Sequence, residues 1–309
     1  MGLRSISNTK SPFEDKLAGT GKLESHQPNW YGERGIWAGG DSGPWDDEID
    51  YIAIETTGDA SDFGDLTQAR GWVAGCSNNT RGVFGGGQID AGYQNTIDYI
   101  TVATTGNAVD FGDLQSGRAY LASCSSGTRG IWAGGEGGTT DVDYVSLATA
   151  GNTTDFGNLV DGRYGLSACS NSTLGMIGGG YNVNTVQYIT FATPGNSVDF
   201  GDLMESNYYF ASFSSSSDRG IWAGGAQANT RIQFITITTK NSCSDFGDLS
   251  VGRSGMSGCS NGVRGCVGGG VTPSLSDVID YITIASPGNA TDFGNLVLAR
   301  EKLASTSGA

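Results

Sequence analysis

The sequence predicts an all-β chain folded as a six-bladed β-propeller of four-stranded antiparallel blades. Three observations carry this: a phrase that recurs six times, four strand-like pieces in fixed order within each recurrence, and termini that hold complementary parts of one unit. The phrase reads RGIWAGG at Arg34, Arg129 and Arg219, RGVFGGG at Arg81, LGMIGGG at Leu174 and RGCVGGG at Arg264. Four strands in a repeat of about 45 residues is the signature of a propeller blade, and a closed ring of blades leaves only short, protected sheet edges.

The second unit shows the order. RGWVAGCSN opens at Arg70, RGVFGGG at Arg81, IDYITVAT at Ile97 and DFGDL at Asp110. Apolar and polar residues alternate in DYITVAT and in DYITIAS near Tyr281, and both are rich in β-branched and aromatic residues, as half-buried strands are. TTGN and SPGN then supply turn chemistry. In every unit 12 residues separate the third-strand aromatic (Tyr51, Tyr99, Tyr144, Tyr188, Phe234, Tyr281) from the fourth-strand phenylalanine (Phe63, Phe111, Phe156, Phe200, Phe246, Phe293), so this hairpin has a fixed geometry. The repeats start on a second strand at Arg34 and finish on a first strand, REKLASTSG, from Arg300. The last strand is therefore expected to complete the first blade and tie the ring shut.

Residues 31–309 form the propeller on this reading, and residues 1–30 an arm outside the repeats. The arm holds Arg4, Lys10, Lys16 and Lys22 and is either a disordered tail or a segment that orders on a neighbouring subunit. Seventeen basic and 32 acidic side chains leave a net charge of −15. That charge repels phosphate backbones and anionic membranes, so no nucleic-acid partner and no membrane insertion are expected. The N-terminus lacks the apolar core of a signal peptide, and Ile6 breaks the myristoylation pattern. Synthesis and folding in a cytoplasm are expected.

Cys76, Cys124, Cys169 and Cys259 occupy one repeated slot that holds Phe213 in another unit, which marks a packing position. Buried free thiols are expected, with a bridge between Cys259 and Cys266 left open. No cysteine or histidine spacing suggests a metal, and no cofactor is expected. The only histidine, His26, lies outside the repeats, which excludes Ser/His/Asp and Cys/His nucleophilic machinery. The acidic residues recur with the blades, so no carboxylate pair stands out for glycosidase chemistry.

The order of arginine, strand, paired glycine, tyrosine strand and late aromatic is similar to Kelch repeats. It departs from them where DFGDL, with its phenylalanine 12 residues after the tyrosine, replaces a tryptophan at six. Tandem RGIWAGG, DYITIA and DFGDL units resemble the Kelch-like repeats in virion proteins of tailed bacteriophages, including cyanophages. The resemblance implies a non-enzymatic tail, fibre or neck protein, present in many copies, that contacts other virion proteins through its arm and a host-surface glycan or another virion protein through the propeller. The alternatives are a cellular Kelch-type interaction module and a carbohydrate-active enzyme.

Loops between the second and third strands vary most, spanning 11, 12, 9, 8, 9 and 11 residues from glycine pair to aromatic. Variable loops on a rigid scaffold are where binding is written. Trp45, Asp46, Asp47, Tyr93 and Tyr181 lie there, and the aromatics either stack on a ligand or pack along the rim. A second arginine slot (Arg70, Arg118, Arg163, Arg253, Arg300) is expected to ring the channel mouth on the same face. It either grips an anionic glycan or phosphate or pairs with the DFGD aspartates such as Asp62, Asp65, Asp110 and Asp113. Those aspartates suit turn capping better than calcium.

Overall fold

The computed structural model of the chain describes residues 32–214 and 218–308. The arm, with Arg4, Lys10, Lys16, Lys22 and His26, lies outside the described residues. Six four-stranded antiparallel sheets make a six-bladed propeller. Blade one is built from both ends of the chain: Ala304–Gly308 pairs with Arg34–Asp41, which is followed by Trp45–Ala53 and Ser61–Asp65. The C-terminal strand thus closes the ring as expected. The inner strands of blades two to six are Ala74–Ser77, Ala122–Ser125, Ser167–Ser170, Ala211–Ser214 and Ser257–Ser260. Extra loop length is absorbed in small hairpins, Gln88–Ile89 with Gly92–Tyr93 in blade two and Val271–Thr272 with Ser274–Leu275 in blade six.

The recurring phrase is a packing code that alternates between blades. Trp37, Trp132 and Trp222 of blades one, three and five are completely buried. Each indole donates to a carbonyl of the preceding blade's inner strand, at Ser257, Ala74 and Ser167. The facing residues in the even blades are Gly268, Gly85 and Gly178, where an added Cβ would lie about 2.8 to 3.0 Å from the indole. Hence IWAGG alternates with GGG: a tryptophan wedge in one blade requires a missing side chain in the one before. Truncating such a wedge to alanine costs about 3–5 kcal/mol.

Two further devices join the blades. The first-slot guanidiniums of Arg34, Arg81, Arg129, Arg219 and Arg264 lie 4.3 to 5.0 Å from the third-strand aromatic of their own blade. They donate onward to carbonyls of the next blade, Arg34 to Val102 and Arg264 to Ile54 among them. On the outside, the TTGN turn of one blade lies along the outer strand of the blade before it. Gly106 donates to Phe63 and Ala108 to Asp65, while the Asn107 side chain accepts from the Asp65 N–H. The outer edges are thereby covered, which removes the exposed strand that would otherwise recruit other chains.

Serine hydroxyls stitch the inner strands, from Ser123 to the Gly75 carbonyl, Ser212 to Ala168 and Ser305 to Gly258. The channel they surround opens on the face of the variable loops, called the loop face below.

Candidate functional site

The second-slot arginines sit in the turns that lead into the inner strands, on the loop face, but their side chains are buried and hold their own blades together. Arg70 meets Asp98 at 3.0 Å, Arg118 meets Asp143 at 2.5 Å, Arg253 meets Asp280 at 2.8 Å and Arg300 meets Asp50 at 3.1 Å. Their guanidiniums also donate to carbonyls of the same blade, as Arg118 does to Gly134 and Asp141. The acidic partners are the third-strand aspartates next to the aromatic, and not the DFGD aspartates, which stand at the outer edge. In blade four the third-strand position reads Gln187, and Arg163 is held by the carbonyls of Gly179 and Thr185. In blade five Asn207 donates to the Gly224 carbonyl, and the third-strand residue is Gln233. Burial pushes the carboxyls of Asp50, Asp143 and Asp280 up, although the neighbouring arginines pull the other way. Burial likewise pulls Arg70, Arg163 and Arg253 down. With these guanidiniums out of reach, the anionic-ligand reading loses its cations.

Two residues further on, each turn carries a residue that does reach the channel mouth: Trp72, Tyr120, Gly165, Tyr209, Gly255 and Lys302. All six have left-handed backbone, with φ of 56, 60, 70, 57, 69 and 63°. Glycine adopts this conformation freely, whereas a bulky side chain there costs about 1 kcal/mol or more. The glycines of blades four and six are thus the relaxed choice, and the aromatic residues and the lysine are held there against local preference. Trp72 and Tyr209, from opposite blades, come within 4.4 Å between ring centroids, and Tyr120 stacks on Trp72 at 4.3 Å. Together they roof a cavity of about 120 Å³ walled by inner-strand residues such as Ser123, Ser167 and Ser212. The strained positions escape sequence reading because their identities differ from blade to blade. The signal that could have found them is the constant offset from the arginine slot.

The five loop residues singled out from the sequence divide. Trp45 is docked into the mouth: its indole donates to Asp90 at 2.9 Å, it packs on Gly71, and Lys302 Nζ lies 5.6 Å from its ring. Asp46 accepts from the Glu48 N–H of its own strand through one carboxylate oxygen, and Asp47 is exposed. Tyr93 is 45% and Tyr181 48% exposed. Tyr181 stacks on Tyr164 at 5.5 Å with ring planes 10° apart, which joins it to the mouth. Lys302 Nζ also lies 5.6 Å from Trp72 and is held by Asp41 at 2.7 Å and Glu301 at 3.0 Å. Burial lowers its pKa, but the two carboxylates more than offset that and leave it raised.

No protein-family model matches the chain, and no curated protein matches it. The site is therefore read from its chemistry alone. Cys76, Cys124, Cys169, Cys259 and Cys266 are buried free thiols; Cys259 and Cys266 are paired across two strands but form no bridge. Cys124 and Cys266 are pushed up to about 12 by burial, so they are inert thiols. Among the described residues no group of three or more histidine, cysteine, aspartate or glutamate side chains is placed to hold a metal ion.

Proposed function

We propose that the chain is a non-enzymatic recognition propeller whose loop face, centred on the aromatic channel mouth, binds a partner. The setting that fits its divergent Kelch-like repeats is a tailed-phage virion, with the loop face turned toward the host envelope or another virion protein. One observation carries the reading. Three aromatic side chains occupy left-handed positions that the same fold fills with glycine in blades four and six, and backbone strain of this kind is retained where a side chain is needed at one point in space. Aromatic residues supply large contact area at low entropic cost, which suits them to recognition.

The test is capture of bacterial envelope fractions and of purified virion proteins by the full chain, against a variant with both Trp72→Gly and Tyr209→Gly. Glycine already occupies equivalent positions, so the variant is expected to fold. Capture reduced tenfold or more supports the reading. Undiminished capture removes the mouth from recognition.

A further inference from the structure

We infer that the mouth carries a built site for an alkylammonium group, formed by five tyrosines over blade four and the carboxylate of Glu136. The inference rests on the proposed recognition role of the loop face and names the chemistry of its ligand. Tyr120, Tyr164, Tyr181, Tyr208 and Tyr209 form a closed circuit, with successive centroid separations of 6.2, 5.5, 5.2, 4.8 and 5.7 Å. A circuit with sides that short brings the rings within about 6 Å of a group held between them, the range over which aromatic faces attract a cation. Its floor is Gly165, whose N–H donates to the Tyr120 carbonyl and whose own carbonyl accepts from Tyr209. A Cβ at Gly165 would lie 2.8 Å from the Tyr209 ring, so the missing side chain lets that ring of the circuit rest directly on the Gly165 backbone.

The repeat provides an internal precedent for the ligand's charge. The residue after each glycine pair is Asp41 in blade one and Glu136 in blade three, and each donates its N–H to the residue just before the strained position, Glu301 and Ala119 respectively. In blade one the strained position carries Lys302, whose ammonium is held by Asp41 against the faces of Trp45 and Trp72. In blade three the strained position carries Tyr120, and among the described residues Glu136 has no ion-pair partner. The same position of the repeat, next to the left-handed residue, therefore carries a carboxylate twice, once paired with a cation supplied by the chain and once beside a tyrosine with no ion pair among the described residues. The field of Glu136 also helps raise the phenols of Tyr120, Tyr164 and Tyr209, after burial, so these rings stay neutral and do not oppose a cation. A net charge of −15 over the whole chain favours the approach of cations over that of anions.

The experiment uses the full chain and two probes of one shape, choline and its neutral isostere 3,3-dimethylbutan-1-ol, titrated by calorimetry and ligand-observed NMR. Choline is expected to bind about tenfold tighter than the isostere. Glu136→Gln should lower choline affinity about fivefold and leave the isostere unchanged, and Tyr209→Gly should abolish binding of both. Equal affinity for the two probes would overturn the cation site while envelope capture through the mouth still stood. Binding of neither probe overturns it as well. Envelope capture that also survives the Trp72→Gly, Tyr209→Gly double change would show that the recognition role had failed with it.

Discussion

Two rings of residues encircle the loop-face end of the channel, two positions apart in every repeat, and they follow different physics. The ring of Arg70, Arg118, Arg163, Asn207, Arg253 and Arg300 is at most 3% exposed and nearly constant in chemistry. The ring of Trp72, Tyr120, Gly165, Tyr209, Gly255 and Lys302 is constant only in backbone conformation. In the first, a side chain must satisfy buried carbonyls and a buried aspartate of its own blade, so identity is fixed by what surrounds it. In the second, the fold dictates φ and leaves the side chain free, so identity records what the mouth has to touch. Constancy marks the scaffold here, and variation at a constrained backbone position marks the site.

The largest effect that separates the rings comes from breaking one buried pair. Arg253→Ala leaves Asp280 buried without its cation, and removal of one partner of such a pair costs about 3–5 kcal/mol. A melting-temperature fall of about 10 °C by calorimetry is expected. The chain supplies the control, because blade five fills the same two positions with Asn207 and Gln233. Arg253→Asn combined with Asp280→Gln should therefore recover most of the loss. A double variant no more stable than Arg253→Ala would mean that the ion pair is required and that blade five is held together by something else.

A smaller contrast is expected in the second ring. Tyr209→Gly relieves left-handed strain while removing ring contacts, and the two offset each other to within about 1 kcal/mol. Gly165→Ala does the reverse, adding strain at φ of 70° and pressing a methyl on the Tyr209 ring, at a cost of about 1–2 kcal/mol. Chemical denaturation should therefore show the removal of a large ring to be milder than the addition of one methyl. The opposite order would mean that Tyr209 is a packing residue first.

The same contrast explains what the sequence made legible. The blade count, the strand order and the closure by Ala304–Gly308 follow from the repeated phrase, because burial and turn chemistry act identically in six places. The arginine slot is visible for that reason, but its partner is not the expected one. DFGD recurs in every unit and suggests the pairing, whereas the true partners are Asp50, Asp98, Asp143 and Asp280, at a third-strand position that reads Gln187 in blade four and Gln233 in blade five. The clue was a shared exception: the unit that replaces arginine with Asn207 also replaces the aspartate with Gln233. Trp45 was legible as a loop aromatic, but its anchoring by Asp90 and Lys302 depends on contacts between residues 45 and more than 250 positions apart. The five-tyrosine circuit was hidden because its members come from three slots of the repeat, Tyr120 and Tyr209 at the left-handed position, Tyr164 and Tyr208 one residue before it and Tyr181 after a glycine pair, and only the curvature of the ring brings them together.

The smallest effect concerns Lys302, the one charged member of the second ring. Its pKa is raised in the folded state by Asp41 and Glu301. The folded protein therefore holds this proton more tightly than the unfolded chain. The stabilisation is fully present below the ordinary lysine value of 10.5 and is lost as pH rises through the higher folded value. Lys302→Met keeps the apolar stem over Trp45 and Trp72 and removes the charge, so the loss near neutral pH should be about 1 kcal/mol or less. The wild-type chain should lose stability between pH 10 and 12 more steeply than the variant, as read from denaturation midpoints across that range. Parallel alkaline limbs would show that the lysine acts through its packing alone, and the internal precedent for a caged ammonium would then rest on its position between the two indoles without the carboxylates.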